Sequence, residues 1–262
     1  MGGLTSTEAR GGIVTPVVGP HFSIVVPVHN EAAFLGEAAA RLMGELAGLP
    51  APAKVLFVEN GSTDGTLAEA HEIAAQNPQV GVLHLPTPDY GAAMRAGFLA
   101  ASGEWVVGFD IDYFSADFLR RVLELEDRAD VVLASKLAPG SRDRRSLQRR
   151  LATRAFNLLL RFFFASRVSD THGMKAVRRH LVQALVPQVQ ATKDLFDTEL
   201  VIRAERAGYR LLEVPAQVEE LRAPRSGLFK RVPRTLRGLL RLRRSLARED
   251  RANHGWCGVP EP

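Results

Sequence analysis

Short apolar runs alternate with helix-length segments through the first half of the chain. Each segment carries apolar positions at helical spacing over about a dozen residues. Strands buried on both faces read as continuous apolar runs, and helices connect such strands in parallel. The pattern therefore predicts an α/β fold with a mostly parallel sheet flanked by helices. Strands are predicted at 22–28, 53–60, 80–85, 104–110 and 130–135, and helices from a cap at Asn30 to Ala47 and at 62–76, 90–102 and 115–126.

The second half of the chain has a different pattern. A basic helix is predicted at 146–166, a loop at 170–179, a helix at 197–209 and a strand at 210–221. Residues 229–250 combine arginines with leucines at helical spacing, which predicts a basic amphipathic helix whose regular part starts at Pro233. Since no repeat or Gly/Ser linker divides the chain, we predict one domain. The predicted organisation is a flexible leader at 1–20, the domain at 21–230, the basic helix at 231–250 and a flexible tail at 251–262.

Composition narrows the class of protein. The single cysteine, Cys257, excludes a disulfide framework and a cysteine-based zinc site, and it fits a reducing compartment. No apolar run approaches the roughly 20 residues that span a bilayer, and the first residues lack the features of a signal peptide. We therefore expect a cytoplasmic protein.

The net charge of +5 is unevenly distributed. Residues 222–248 contain ten Arg or Lys and no acid, and 142–161 are also rich in arginine. One-sided charge predicts a polyanionic partner, such as substrate phosphates or an anionic membrane surface at which the protein is peripheral. In one interpretation, the basic C-terminal helix makes this membrane contact. In the alternative interpretation, it packs its leucines back on the domain. Nucleic acid is not expected, because aromatic interleaving and a nucleic-acid module are both missing from the sequence.

Polar side chains follow three of the predicted strands at the point where each strand ends. In a doubly wound sheet, ligands bind at the carboxyl ends of the strands. These polar clusters therefore predict one site at one edge of the sheet. The clusters are His29-Asn30-Glu31, Glu59-Asn60 and Asp110-Ile111-Asp112.

Asp110 and Asp112 raise a specific question. If both belong to a strand, their carboxylates point to the same side and repel each other unless a cation lies between them. One interpretation is therefore a metal site. The other is a strand end that runs into a turn, with Asp112 or Ser115 capping the next helix.

Seven segments resemble, in order, those of family 2 glycosyltransferases, and most closely the dolichol- or polyprenyl-phosphate sugar transferases. They are FSIVVPVHNEAAFL, VENGSTDGT, GAAMRAGFLAASGEWVVGFDID, GSR, SDTHGMKAVRR, DTELVIRAERAGYRLLEVP and LRAPRS. The resemblance implies a GT-A fold, a nucleotide-activated hexose as donor, a divalent cation and inversion of the anomeric carbon. It also implies that Mg²⁺ or Mn²⁺ bridges Asp110 and Asp112 to the donor diphosphate, with Asp112 the more direct ligand and Asp110 nearer the ribose.

The resemblance assigns further residues to the nucleotide sugar. The nucleotide-sugar-binding set is Pro27, His29, Asn30, Glu31, Glu59, Asn60, Ser62, Asp64 and Asp110. Glu31 is equally suited to interact with the dipole of the helix that follows it. Relatives commonly have two aspartates where this chain has Glu59 and Asn60. An asparagine suits a uracil edge, whereas a carboxylate suits guanine, so UDP-glucose and GDP-mannose both stay open as donors.

A phosphate-headed acceptor is already ionised near neutral pH, so it needs positive charge more than a strong base. The resemblance places Arg222 and Ser226 in a loop that contacts phosphates, with Arg142 and Lys175 as further candidates. Each arginine is also compatible with simple solvation. The predicted catalytic residues are Asp112, Arg222 and Asp170, which we interpret as a base or acceptor orienter, with Asp197 and Glu199 as its rivals.

The leading hypothesis is transfer of a hexose from a nucleotide sugar to a polyprenyl or dolichyl phosphate. One alternative keeps the donor but uses a saccharide or small-molecule hydroxyl as acceptor. Another is a catalytically silent subunit that binds nucleotide sugars, motivated by Glu59 and Asn60. A dehydrogenase is excluded because no G-x-G-x-x-G follows the first strand.

Overall fold

The computed structural model describes residues 19–192, 195–218 and 228–254, and in the last range it describes the side chains of 232–252. The strands are β1 (Phe22–Val28), β2 (Ala53–Asn60), β3 (Val80–Leu85), β4 (Trp105–Gly108), β5 (Val131–Ser135), β6 (Arg142–Asp143), β7 (Lys175–Arg178), β8 (Leu211–Pro215) and β9 (Gln217–Val218). The helices are α1 (Ala32–Leu46), α2 (Thr66–Gln76), α3 (Tyr90–Ala100), α4 (Ala116–Leu125), α5 (Leu147–Phe164), α6 (Arg179–Leu185), α7 (Phe196–Arg206) and α8 (Leu228–His254).

The described strands form a seven-stranded sheet in the order β3-β2-β1-β4-β7-β5-β8, and β6 pairs with β9 in a small second sheet. Within the large sheet, β7 runs antiparallel to both of its neighbours, and the other pairs are parallel. The predicted α/β fold with a mostly parallel sheet flanked by helices is therefore confirmed.

Alternating residues of β1 explain why helices cover both faces of the sheet. Ile24 and Val26 pack with Leu35 of α1 in one core. Val25 points to the other side and packs with Met94 of α3. Both faces of β1 are buried, which is why its sequence reads as a continuous apolar run.

Strand β7 was not expected, because 170–179 was predicted to be a loop. The four residues of β7 lie between β4 and β5, and each pairs with a residue of β4. A four-residue strand is too short to show a clear pattern, and an antiparallel strand needs no helix between it and its neighbours. The sequence pattern therefore did not predict β7.

The segment that carries the two aspartates differs from the prediction as well. Strand β4 ends at Gly108, and the Tyr113 amide donates to the Asp110 carbonyl at 3.0 Å, which closes a turn. Asp112 therefore lies in a turn and not in a strand. The argument that the two carboxylates point to the same side of a strand is wrong here. The cap of α4 is Ser115, whose hydroxyl accepts from the Phe118 amide.

Asn30 does not cap α1, contrary to the prediction. Its φ of 54° lies in the left-handed region, and the helix begins two residues later, at Ala32. The Asn30 side chain instead accepts a hydrogen bond from the Thr63 amide at 2.9 Å. A polar residue that tolerates positive φ thus turns the chain from β1 into α1.

Helix α8 includes Pro233 within its length, so it begins upstream of the predicted start. Its Leu239, Leu242 and Leu246 are buried against Leu160 of α5 and Ile202 of α7. These leucines therefore pack on the domain, which supports the alternative interpretation of the C-terminal helix. No helix in the described ranges combines the length and apolar character needed to cross a bilayer.

Candidate functional site

The loops after β1 and β2 form one hydrogen-bonded unit. The Asn30 amide donates to the Ser62 hydroxyl at 2.9 Å, and the Glu31 amide donates to the Thr66 hydroxyl at 2.8 Å. Asp64 accepts from the Ala32 amide at 3.3 Å. The two polar clusters that the sequence placed at one sheet edge are thus brought together by direct contacts.

Glu59 is buried and already has partners. Its carboxylate accepts from the Ser62 amide at 2.6 Å and from the His84 ring. Desolvation favours the neutral carboxyl, but the hydrogen bonds from Ser62 and the interaction with His84 outweigh it and keep the pKa of Glu59 below its usual value. Glu59 therefore fixes the start of the loop after β2, and its role toward a nucleotide base stays a prediction.

Asn60 also holds neighbouring loops. Its side-chain oxygen accepts from the Asp89 amide at 2.8 Å, and Asp89 caps α3 by accepting from the Ala92 amide. Its backbone carbonyl lies 2.7 Å from the His29 ring nitrogen Nδ1. The half-buried Pro27 lies next to these groups in β1, opposite Val58. One lone pair of the Asn60 oxygen is thus engaged, so base recognition by Asn60 would use its amide nitrogen or the second lone pair.

The turn after β4 concentrates negative charge. Desolvation raises the pKa of the Asp110 carboxyl to about 6, although the residue is partly exposed to solvent. The carboxylates of Asp197 and Asp112 add to this rise, whereas the Lys175 ammonium group opposes it. A bound cation would relieve the remaining repulsion.

Lys136 is a site residue that sequence reasoning missed. Its ammonium group donates to the buried Asp170 carboxylate at 2.7 Å and also to the His172 carbonyl. The other Asp170 oxygen accepts from the His172 amide at 3.0 Å. These donors occupy the carboxylate, so a role of Asp170 as base or acceptor orienter stays a prediction. Lys136 directly follows β5, so the rule that placed ligands at strand ends would have found it.

Lys175 lies in the interior. Its Nζ is 3.1 Å from Asp197 Oδ1, and the Tyr90 hydroxyl donates to the other Asp197 oxygen at 3.0 Å. The Lys175 side chain is only 2% exposed, so its ammonium group balances Asp197 and Asp110 from within the protein. The described contacts support this role, and its predicted phosphate binding remains untested.

Glu199, the other predicted rival for catalysis, has a structural role. Its carboxylate accepts from the amides of Gln190 and Ala191, at 3.1 and 2.7 Å, and from Arg203 Nε at 2.8 Å. Arg203 in turn binds Glu249 of α8 at 2.8 and 2.9 Å. Glu199 therefore anchors the segment before α7 and, through Arg203, the C-terminal helix.

An open cleft of about 650 Å³ adjoins Asp112. Its wall includes Arg41, Asp112, Tyr113, Arg142, Arg144 and Gln217. The pairing of β6 with β9 fixes the backbone of Arg142, since its amide donates to the Ala216 carbonyl at 3.0 Å. Asp143 is held by Arg145, whose hydrogen bond lowers the pKa of the Asp143 carboxyl. The cleft thus combines an acidic turn with exposed arginines.

The predicted phosphate-binding residues therefore separate into two groups. Arg142 lines the cleft and is exposed, whereas Lys175 is buried. Arg222 and Ser226 lie outside the described residues, so their predicted roles carry no structural account. Arg144, which was not singled out in the sequence, joins Arg142 on the same wall.

The residues at the turn fit a divalent cation that is shared with a substrate. Carboxylate oxygens are the ligands that Mg²⁺ and Mn²⁺ prefer, and Mg²⁺ usually takes one or two carboxylates together with substrate phosphates. In the described part of the chain, no group of three or more His, Cys, Asp or Glu side chains is arranged to hold a metal ion alone. Asp110 and Asp112 would thus supply part of a coordination sphere that a diphosphate completes.

Comparison with known proteins identifies the family of this chain. Residues 23–186 match the model of the family described as Glycosyl transferase family 2. Glycosyltransferase AglD of Haloferax volcanii is 33% identical over 224 residues, which cover 81% of this chain and 35% of AglD. The undecaprenyl-phosphate mannosyltransferase of Micrococcus luteus is 30% identical over 199 residues, which cover 73% of this chain and 80% of that protein.

A solved structure shares the fold. Glucosyl-3-phosphoglycerate synthase from Mycobacterium tuberculosis, in complex with Mn²⁺, UDP-glucose and phosphoglyceric acid, aligns with a TM-score of 0.65. The sequences are 21% identical, and the alignment covers 93% of this chain and 82% of that one. The family match covers more than half of this chain and includes the loops after β1, β2, β4 and β5. The chain belongs to glycosyl transferase family 2.

Proposed function

We propose that this protein transfers a hexose from a nucleoside diphosphate sugar to the phosphate of a polyprenyl or dolichyl phosphate. The observation that carries the proposal is the position of Asp112. It lies in the turn at the strand-end site and also on the wall of the arginine-lined cleft. A donor at the strand ends and an acceptor phosphate in the cleft would therefore meet beside this residue.

On the donor side, the loops after β1 and β2 would hold the nucleoside. The exposed Asn30 side chain and the His29 ring lie where those loops meet, 3.3 Å from each other. The acidic turn would hold the diphosphate through Mg²⁺ or Mn²⁺, with Asp110 and Asp112 as protein ligands. The cation, when bound, supplies positive charge that stabilises the leaving nucleoside diphosphate.

On the acceptor side, Arg142 and Arg144 would bind the phosphate, since a guanidinium group pairs with phosphate oxygens through two parallel hydrogen bonds. Arg222 and Ser226 are proposed to complete this contact. An ionised phosphate oxygen attacks the anomeric carbon on the face opposite the nucleotide, and the bond to the diphosphate oxygen breaks. The anomeric configuration is therefore inverted, and the nucleophile has no proton to lose.

Support for a lipid phosphate comes from the relatives. The Micrococcus luteus protein is an undecaprenyl-phosphate mannosyltransferase, and the chain covers four-fifths of it. The structural neighbour with phosphoglyceric acid favours a second candidate, a small phosphorylated acceptor bound in the same cleft. Both candidates use the same donor chemistry and the same arginines.

Calorimetric titration of UDP-glucose and of GDP-mannose, each with Mn²⁺ and with EDTA, tests the donor half of the proposal. We expect one of the two nucleotides to bind, and the affinity to fall by more than about tenfold in EDTA, because the diphosphate then meets uncompensated carboxylates. The preferred nucleotide identifies the base. Binding of neither nucleotide to the folded protein, or binding that is indifferent to EDTA, would contradict the proposal.

A further inference from the structure

Helix α5 exposes a row of large apolar side chains. The exposed fractions are 67% for Leu147, 53% for Leu151, 68% for Leu158 and 75% for Phe162. At 3.6 residues per turn these four positions lie within an arc of about 60° around the helix. We call this row the α5 apolar face. Single exposed leucines are common on soluble proteins, but four large apolar side chains along one side of a helix indicate an interaction surface.

The opposite side of α5 already has a partner. Leu160 is fully buried against Leu239 and Leu242 of α8, and Phe156 and Phe163 pack against the same cluster. Helix α8 therefore covers the inner side of α5, and the α5 apolar face points away from it. In the described part of the chain, the α5 apolar face is therefore not the side of the helix that packs on α8.

Arginines border the α5 apolar face along one edge. Arg150, Arg154 and Arg161 are exposed and lie within an adjacent arc of about 40° on the same helix. From Leu147 to Phe164 the helix contains no acid. An apolar row next to a basic row is the arrangement of helices that lie in the plane of a membrane interface, where the apolar side chains enter the acyl region and the cations contact anionic headgroups.

The α5 apolar face begins close to the cleft along the chain. Arg142 and Arg144 line the cleft beside Asp112, and α5 begins three residues beyond Arg144. A surface on which α5 lay would therefore present its headgroups close to the arginines that we assign to an acceptor phosphate. A contact between two copies of the face would instead risk bringing arginines of like charge together, which disfavours dimerisation.

We propose that the α5 apolar face attaches the protein to an anionic lipid bilayer, with Leu147, Leu151, Leu158 and Phe162 at the acyl boundary and Arg150, Arg154 and Arg161 among the headgroups. This proposal rests on the proposed function, because attachment to a bilayer would bring the protein to its lipid acceptor. Attachment itself requires neither donor nor transfer, so it is measured separately. It also moves the membrane contact from α8, where the sequence suggested it, to α5.

Sedimentation of the full chain with vesicles tests the proposal. The vesicles contain equal parts phosphatidylcholine and phosphatidylglycerol, with pure phosphatidylcholine vesicles as the neutral comparison. We expect the wild type to bind the anionic vesicles, and the Leu158→Ser/Phe162→Ser variant to bind at least about tenfold more weakly because apolar insertion is lost. Arg154→Gln/Arg161→Gln should weaken binding by roughly fivefold for each arginine. The preference for anionic vesicles and the effect of the arginine substitutions should both decrease at high salt.

Leu99→Ser is the matched control, since Leu99 is a leucine on α3 with 47% exposure. It should bind vesicles as the wild type does. Circular dichroism checks that each variant folds, and Leu147→Ser/Leu151→Ser provides a second test of the face. Equal vesicle binding by the wild type and by both apolar variants overturns the proposal, as does a wild type that does not bind vesicles.

Two further measurements separate the possible failures. A wild-type dimer in analytical ultracentrifugation that Leu158→Ser/Phe162→Ser dissociates, together with no vesicle binding, would assign the face to a second copy and overturn the proposal. Donor calorimetry on the same samples reports on the proposed function. Intact donor binding without vesicle binding defeats only the membrane proposal, and vesicle binding without donor binding defeats only the transferase.

Discussion

Replacement of Asp112 with asparagine is expected to lower the rate of hexose transfer by about a hundredfold or more, because it removes a charged ligand where the leaving diphosphate develops charge. The shape of the side chain is retained, and Asp112 is at the cleft rather than in a core, so the variant should fold normally. The initial rate of transfer, measured at saturating Mn²⁺, checks the expectation. A thermal melt of the same sample confirms that the loss is chemical.

Asp117→Asn provides the control for that experiment. Asp117 borders the same cleft, but its side chain is 88% exposed and pairs with Arg120 at the surface. Screened surface charges contribute little, so this variant should keep its rate within about twofold of wild type. If Asp112→Asn also retained more than about a third of the wild-type rate, the assignment of Asp112 to the leaving group would be wrong.

Replacement of Lys175 with methionine is expected to lower the free energy of unfolding by about 3–5 kcal/mol, the usual cost of removing one partner of a buried ion pair. The lysine side chain is 2% exposed and the Asp197 side chain 4%, so neither charge can turn to solvent. Without the ammonium group, the buried Asp197 carboxylate would lose its ion-pair partner. Urea unfolding followed by circular dichroism measures the difference.

Two further variants make that result specific. In Lys175→Met/Asp197→Asn the orphaned charge is removed too, so we expect at least about half of the lost stability to return. Lys54→Met, at an exposed position of β2, should change stability by no more than about 0.5 kcal/mol. A loss below about 1 kcal/mol for Lys175→Met would show that Lys175 does not balance buried carboxylates.

The fold was predictable where the strands are long and buried on both faces. The five predicted strands of the first half are present, and β1 and β2 keep the predicted bounds, because strands covered by helices on both faces are largely apolar. Strands β6 and β7 were not predicted, and the single strand predicted at 210–221 is divided in the structure into β8 and the short β9. Two to four residues carry too little periodicity, and their pairing depends on what the rest of the chain brings beside them.

The site was predictable as a place but not as a set of contacts. The polar residues after β1 and β2 are in direct contact, and β4 pairs in parallel with β1, so its polar cluster follows at the same edge of the sheet. The left-handed turn at Asn30 and the pairing of Lys136 with Asp170 depend on residues more than thirty positions apart. The sequence favoured Asp170, with Asp197 and Glu199 as its rivals, and only the structure shows the partners of each carboxylate.

The two amphipathic helices show the same limit. Both α5 and α8 combine arginines with apolar residues, and the sequence favoured α8 for a membrane surface. In the structure, Leu239, Leu242 and Leu246 of α8 are buried against α5 and α7, whereas Leu147, Leu151 and Leu158 of α5 are exposed. Periodicity reveals that a helix has an apolar side, but what covers that side is a property of the tertiary structure.

The most direct test of the proposed transferase compares three acceptors with the donor that calorimetry selects: polyprenyl phosphate, unphosphorylated polyprenol and phosphoglyceric acid. Labelled hexose is followed into the organic phase for the lipids and into the aqueous product for phosphoglyceric acid. We predict transfer to polyprenyl phosphate alone, with EDTA abolishing it. Transfer to phosphoglyceric acid at an equal or greater rate, or no transfer to polyprenyl phosphate by protein that binds the donor, would contradict the assignment of a lipid phosphate as acceptor.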